Sequence, residues 1–440
     1  MLFMKIKRIE YGCENRTIWL DHRLDSSDSR GFRGLVENKG KQDIMKTIGF
    51  VTPWYGANIP GGAETELRGL AGHLFKAGVE LEILTTCVQQ FASDWNVNYY
   101  KPGRDTVDGI PVRRFPVRKR DTAAFDAVNA KLIKKLPVTE DEEAVFMEEM
   151  VNSPDLYQYM LQNQDDYALF VYIPYMFGTT YYGVKQCPEK SVLIPCFHDE
   201  AYIHMDIFKE VFEQAAGVVY LSQPECELAN RVFRFRNAEQ AVLGAGVDTQ
   251  FVSDADRFRS KYGISQPFIL YAGRKDAGKN IGTLIKYFRE YRNRHAESEL
   301  LLVMIGGGEV TVPEDIQDDV RDLGFVDQQD KFDAYAAAEV MCQPSKNESF
   351  SIVIMESWLA GRPVLVHGGC AVTRDFVRRA NAGLYFDNYF EFEGCIDYFL
   401  QHQETAGQMG QLGREFVLQN FAWDVIVKKY TDFFEKVVQK

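Results

Sequence analysis

The sequence predicts an α/β protein made of two doubly wound parallel sheets that face each other across a cleft. Three observations carry that expectation. Short apolar runs of strand type alternate with amphipathic stretches of helical period along most of the chain. The alternation starts twice, near Lys46 and again near Pro267. In both halves the apolar runs end in glycine-bearing loops that open helices, which is the layout of successive βαβ units.

Size and charge agree with this class. At roughly 100–200 residues per domain, 440 residues allow two or three domains. Apolar residues make up 46% and charged residues 26%, a globular profile with ample material for cores. A formal net charge of −13 argues against nucleic acid as the main partner, because phosphate backbones select basic faces. It leaves room for a local cationic groove. The eight cysteines include no C-x-x-C pair, which disfavours zinc ribbons and thioredoxin-type pairs and fits free thiols in a reducing compartment. No apolar stretch approaches the ~18–20 residues needed to span a bilayer. The opening MLFMKIKRIEYG lacks the features of a signal peptide, so a cytoplasmic protein is expected.

The elements follow in order. Residues 1–45 read as an extension outside the main fold, polar and turn-rich around Asp25–Gly31. TIGFVTPW (47–54) is a buried-strand pattern, and its loop runs through Ile59-Pro60-Gly61-Gly62-Ala63-Glu64. The helix TELRGLAGHLFKAG follows, closed by Gly78, and VELEILTT (79–86) is the next strand. Further strands are expected at 110–117, 168–173, 191–196 and 217–221, with acidic helices over 121–165. In the second half, strands are expected at 267–273, 300–308 and 362–369, with a helix opening at Asn280. KFDAYAAAEVMCQPS holds a helix and a short strand, and 351–361 is a helix closed by Gly361. The halves join near 236–250, so the expected domains are 46–238 and 239–420, with a long amphipathic helix at 421–440.

Open α/β sheets bind ligands at the carboxyl ends of their strands, which directs attention to the loops 53–64, 196–200, 273–280, 305–309, 343–351 and 367–373. Gly273-Arg274-Lys275-Asp276-Ala277-Gly278-Lys279-Asn280 lies between a strand and a helix. There Arg can fork onto two oxygens of a diphosphate and Lys can act as a point charge, or both can be ordinary surface cations. Glu348 and Glu356 stand eight positions apart, one before a helix and one about 1–2 turns inside it. Both can face one cleft, and the helix N-terminus between them suits an anion. Their plainer roles are a dipole-stabilising carboxylate and a solvated helix position. His198, in Phe197-His198-Asp199-Glu200, follows a buried strand and can hydrogen-bond a substrate or serve structurally. Gly61-Gly62 permits close backbone approach to a phosphate or sugar. No metal-ligand spacing is visible. The run Arg113-Arg114 to Arg118-Lys119-Arg120 reads as a strand and its solvated turn, with contact to anionic lipid as the alternative.

Taken together, these residues resemble glycosyltransferase family 4. The resemblance rests on Gly61-Gly62-Ala63-Glu64, His198-Asp199-Glu200, Gly273-Arg274 with Lys279-Asn280, Gly306-Gly307-Gly308, and Glu348-x7-Glu356. It runs from Lys46 to the C-terminus and implies the GT-B fold. The last helix would then cross back to the first domain. Arg274 and Lys279 would bind the donor diphosphate, and Glu348 would hold donor-sugar hydroxyls. Glu356 would hold the ribose, and backbone amides at Phe350 and Ser351 would meet phosphate or sugar. Gly61, Gly62 and Gly307 would approach the donor, and His198 would sit beside the reacting carbon. The catalytic set implied is His198, Arg274, Lys279 and Glu348.

The resemblance further implies retention of anomeric configuration and no metal ion or other cofactor. The donor would be a UDP- or GDP-sugar. The acceptor would be a hydroxyl of a glycan, lipid-linked or small molecule, and the basic run 113–120 allows peripheral contact at the inner face of a membrane. A non-catalytic subunit of the same fold and a nucleotide-sugar epimerase are the alternatives. The stretch Val366-His367-Gly368-Gly369-Cys370-Ala371 departs from the family's commoner Gly-Gly-Ile-Pro-Glu-type segment.

Overall fold

A computed structural model describes residues 46–440, so the expected 1–45 extension lies outside the described residues. The first sheet has eight strands: β1 (Thr47–Thr52), β2 (Leu81–Thr86), β3 (Gly103–Val107), β4 (Ile110–Phe115), β5 (Tyr167–Tyr172), β6 (Ser191–Leu193), β7 (Gly217–Tyr220) and β8 (Glu239–Val242). Their spatial order is β3-β4-β2-β1-β5-β6-β7-β8. Every neighbouring pair is parallel except β3 with β4. The second sheet has six strands: β9 (Phe268–Ala272), β10 (Leu301–Ile305), β11 (Val320–Asp322), β12 (Val340–Gln343), β13 (Val364–His367) and β14 (Gly383–Phe386). Their order is β11-β10-β9-β12-β13-β14, parallel throughout.

Both sheets reverse strand order beside their first strand, so in each the loops splay apart at the carboxyl ends and open a crevice. The central strands are apolar on both faces, as sheets covered by helices on two sides require. β9 and β10 are buried at every position.

Two elements differ from the sequence expectation. The strand β8 pairs with β7, so the first sheet extends to Val242 and the boundary at 238 cuts one strand too early. The hairpin β3–β4 was not expected. Asp108 and Gly109 both take positive φ (51° and 82°) between the strands, the Asp-Gly turn that matches strand twist.

The helix Trp423–Val438 returns to the first sheet and buries Ile426, Tyr430, Phe433, Phe434 and Val437. Each such side chain contributes about 1.5–3 kcal/mol on burial. Phe434 meets Phe50 edge-on at 6.4 Å, Trp423 stacks on His73 at 4.2 Å, and the Tyr430 hydroxyl donates to the Gly244 carbonyl at 3.2 Å. The contact with Gly244 pins the crossover between the sheets.

The arginines of the basic run are engaged internally, and Lys119 is its exposed cation. Arg114 is 2% exposed, donates to Asp105 (2.8 Å) and the Tyr55 carbonyl (2.9 Å), and lies over the Tyr100 ring. Arg113 pairs with Glu82, Arg118 with Glu149, and Arg120 covers Trp95 and Phe125. The seven described cysteines carry free thiols. No described helix is long and apolar enough to cross a membrane.

Candidate functional site

The site is built where the carboxyl ends of the two sheets meet. From the first half, β1 runs into a loop ending at Gly61, which caps the helix Gly62–Lys76 with φ 141°. That backbone angle lies outside the reach of ordinary residues, and a Cβ there would collide with the Glu64 carboxylate. Glu64 is held in turn by the Trp54 indole, which donates to it at 2.6 Å. A Cβ at Gly62 would meet nothing within 4 Å, because Gly62 borders open cleft.

From the second half, β9 ends in Gly273, and a one-turn helix Ala277–Lys279 follows, capped by Asp276. Asn280 sits left-handed (φ 57°) and donates to the Pro344 carbonyl at 2.9 Å, tying this loop to the loop after β12. That tie sets Lys279 against Glu348, with Nζ 2.7 Å from Oε1. The Glu348 side chain is 9% exposed and that of Lys279 25%. Next, Ser351 takes φ 72° and begins the helix Ile352–Leu359 with no side-chain cap. Its hydroxyl is buried without a partner. The free N–H groups of this helix therefore lack an internal acceptor and favour negative charge.

These parts enclose a cavity of about 200 Å³, lined by Gly62, Glu66, Gly273, Lys279, Glu348 and the Ser349–Val353 backbone, among others. It is smaller than the about 300–1,000 Å³ of typical ligand clefts, so it fits a diphosphate and its nearest atoms rather than a whole nucleotide-sugar. A groove of similar size adjoins it. His198, Glu225, Arg231, Lys346 and Glu348 are among its walls. Glu348 thus borders both spaces. Burial lowers the His198 pKa, with the Glu348 charge opposing the shift and Lys279 reinforcing it, so the imidazole is neutral at pH 7.

The structure brings Gly62, His198, Lys279, Glu348, Phe350 and Ser351 together. At Phe350 only the backbone is available, because its ring is buried against Phe376 and Phe421. Gly307 accepts the Lys275 N–H at 2.7 Å and lies beneath the Phe325 ring, outside the cavity wall. Two of the expected side chains stand away from this cavity. The Arg274 side chain is 76% exposed and turns to Asp276 at 3.5 Å, away from the cavity. Glu356 does not share a space with Glu348. It is buried between Lys331 Nζ (2.5 Å) and the Tyr335 hydroxyl (2.9 Å), both from the helix Gln328–Ala337. Eight positions along an irregular loop and then a helix place the two carboxylates on different sides of the backbone.

Sequence reasoning missed four participants. Lys331 and Tyr335 are the partners of Glu356, and their spacing of four on one helix was the available signal. Phe325 is 87% exposed over Gly307, an apolar ring left in solvent beside a glycine turn. Glu66 lies buried in the cavity wall and gave no signal, because a glutamate early in a helix reads as solvated.

Residues 253–416 match the family described as glycosyl transferases group 1. The D-inositol 3-phosphate glycosyltransferase of Corynebacterium kroppenstedtii is 26% identical over 237 residues, which is 48% of this chain and 51% of that protein. The mannosylfructose-phosphate synthase of Agrobacterium fabrum is 26% identical over 40% of this chain and 43% of its own length. The chain therefore spans about half the length of the curated relatives it matches. Among solved structures, sucrose-phosphate synthase from Thermosynechococcus elongatus superposes with a TM-score of 0.64 at 17% identity, covering 89% of this chain and 99% of that one. Anabaena HepE in complex with UDP superposes with a TM-score of 0.62 at 15% identity, covering 89% and 100%. The architecture is thus the GT-B fold, two Rossmann-like α/β domains.

Proposed function

We propose that the protein is a retaining glycosyltransferase that moves a hexosyl group from a UDP- or GDP-sugar to an acceptor hydroxyl. The observation that carries this reading is the cavity in which Lys279, Glu348, an uncapped helix N-terminus and the bare Gly62 backbone converge at the carboxyl ends of both sheets. The cation and the N–H groups suit a diphosphate, and the carboxylate suits sugar hydroxyls. Group 1 relatives over residues 253–416 and a superposable structure that holds UDP support the same ligand class.

In this reading the diphosphate settles between Lys279 and the N–H groups at Ser351 and Ile352. The bond from the anomeric carbon to the diphosphate oxygen breaks. The acceptor oxygen bonds to that carbon on the same face, and its proton passes to the departing phosphate. Lys279 and the helix N-terminus stabilise charge as it gathers on the leaving group. The diphosphate leaves readily when its charge is met, so no strong general acid is required. Glu348 holds the sugar across from His198, which offers a neutral hydrogen-bonding partner beside the reacting carbon. Glu356 and Lys331 would hold the ribose, and the exposed Phe325 ring would carry the base. Arg274 would have to swing from Asp276 to join the diphosphate.

We also propose that these protein groups meet the diphosphate charge without a metal ion, so turnover should survive chelator. The acceptor class, and any contact with a membrane face, are set by the first half of the chain. The test is a panel of UDP- and GDP-sugars with and without acceptor candidates, following release of nucleoside diphosphate. One donor should give acceptor-dependent release that Glu348→Gln abolishes. Release that is absent for every donor, with no nucleotide binding, would overturn the reading. Release of an epimerised sugar nucleotide instead would reassign the chemistry.

A further inference from the structure

Glu66 is a buried carboxyl in the cavity wall that the mechanism above does not use. It lies in the second turn of the helix Gly62–Lys76, is 4% exposed, and lines the cavity that holds Lys279 and Glu348. Its Oε1 is buried without a hydrogen-bond partner. Nearly all buried polar atoms in folded proteins are paired, so an orphan in a ligand cavity points to a partner that the ligand brings. The surroundings decide the kind of partner. Cys196, Leu221, Ala245 and Ala272 give the cavity an apolar wall, and the Ser349–Val353 backbone at a helix N-terminus gives it a polar one. That end of the cavity is suited to phosphate, and a carboxylate anion would repel it. A carboxylic acid would instead donate to it.

Resting on the nucleotide-sugar reading, we propose that Glu66 is a further binding residue, whose carboxyl group in its acid form donates a hydrogen bond to a phosphate oxygen of the nucleoside diphosphate in the cleft. Burial supports the acid form, since it pushes the Glu66 pKa up to about 8. Cys196 after β6 and Tyr430 on the last helix face Glu66, and Glu64 on its own helix and Glu225 on the helix Gln223–Val232 lie beyond them, beside Cys196. Lys279 and Glu348 stand across the cavity. Burial holds the Cys196 and Tyr430 protons well above their ordinary ranges, so neither titrates near neutrality. Glu225 is also pushed up to about 8, but its two oxygens accept the Phe197 and Leu221 backbone N–H groups at 2.7 Å. It has no free donor geometry toward the cavity and serves as the control.

The consequence is a nucleotide affinity that falls with rising pH in a range where the diphosphate is already ionised, above its second pKa of about 6. If only the protonated Glu66 binds, the Kd for UDP or GDP rises roughly 25-fold between pH 7.5 and 9.5. Calorimetric titration of the intact protein with UDP and GDP across that range, with uridine and guanosine as phosphate-free probes, reads this directly. The diphosphates should weaken and the nucleosides should not. Glu66→Gln keeps an N–H donor, so it should bind within about threefold of the parent at pH 7.5 and lose the slope. Glu225→Gln should keep the slope.

A parent protein that binds diphosphates with no pH dependence, or a Glu66→Gln variant with the parent's slope, overturns the role of Glu66 while leaving the transferase reading intact. The same slope with the nucleosides would also overturn it. A parent that binds no diphosphate at any pH overturns both. A parent without the slope overturns the role of Glu66 even if the variants fail to fold, and a slope is assigned to Glu66 rather than Glu225 by the two variants.

Discussion

Lys279 does two things, and a pair of substitutions separates them. Its ammonium lies 2.7 Å from Glu348, whose side chain is 9% exposed. At an effective dielectric near 20, the gross attraction at that distance is about 6 kcal/mol. Desolvation of both groups offsets much of it, and the lysine is a quarter exposed, so the net loss of stability in Lys279→Met should be about 1–3 kcal/mol. Much of that loss is the unpaired Glu348 left in a buried place. Removing its charge as well, in Lys279→Met/Glu348→Gln, should recover most of the stability. Turnover should respond differently. The cation meets charge that develops on the leaving diphosphate, and loss of one such group costs about 10²–10³ in kcat. Thermal unfolding gives the first quantity and diphosphate release the second. The account expects the double variant to regain Tm, and Lys279→Met alone, with Glu348 intact, to show the loss of kcat. If Lys279→Met alone keeps more than about a third of the parent kcat while losing the stability, Lys279 is only a structural partner of Glu348 and the reasoning fails.

Three further outcomes follow from the same geometry. Gly62→Val fills cleft space that nothing in the protein occupies, so it should raise the donor KM about tenfold or more with Tm unchanged within a few degrees; a large fall in Tm would show that the space is not free. Glu356→Gln leaves Lys331 and the Tyr335 hydroxyl facing a neutral amide in a buried position, which should cost about 1–3 kcal/mol by denaturant unfolding and raise donor KM more than it lowers kcat; an unchanged KM would remove Glu356 from the ribose. Burial lowers the His198 pKa from 6.5, so the acid limb of kcat/KM should lie below pH 6.5 as the imidazole gains a proton, and it should vanish in His198→Gln; a limb above 6.5, or one that persists in the variant, would assign it to another group.

The parts of this site that were legible in the sequence are those that local chain chemistry determines. Strand runs closing on glycine loops gave both sheets and their crevice. Lys279 and Glu348 could be placed together because each stands just beyond a predicted strand that borders the same crevice. What was hidden depends on contacts between distant segments. Glu66 is buried because Tyr430 and its neighbours return from the far end of the chain to cover the helix that carries it. Glu356 is turned away from Glu348 because the helix Gln328–Ala337 supplies its two partners. Arg114 is internal because a hairpin strand supplies Asp105 and Tyr100 stacks upon it, so a run of arginines that read as solvated is a set of clamps. The Asp108-Gly109 pair is a hairpin signal that the sequence shows only weakly, since the flanking strand Gly103–Val107 carries little apolar character.

The claim at the centre is that the two sheets meet around a nucleoside diphosphate. A crystal of the protein soaked with UDP, and a second with GDP, tests it most directly. The account predicts diphosphate density in the cleft within hydrogen-bond reach of Lys279 Nζ and the Ser351 and Ile352 N–H groups, with Gly62 against it and the ribose toward Glu356. A nucleotide bound elsewhere, or a diphosphate that leaves the Lys279–Glu348 pair untouched, would contradict it.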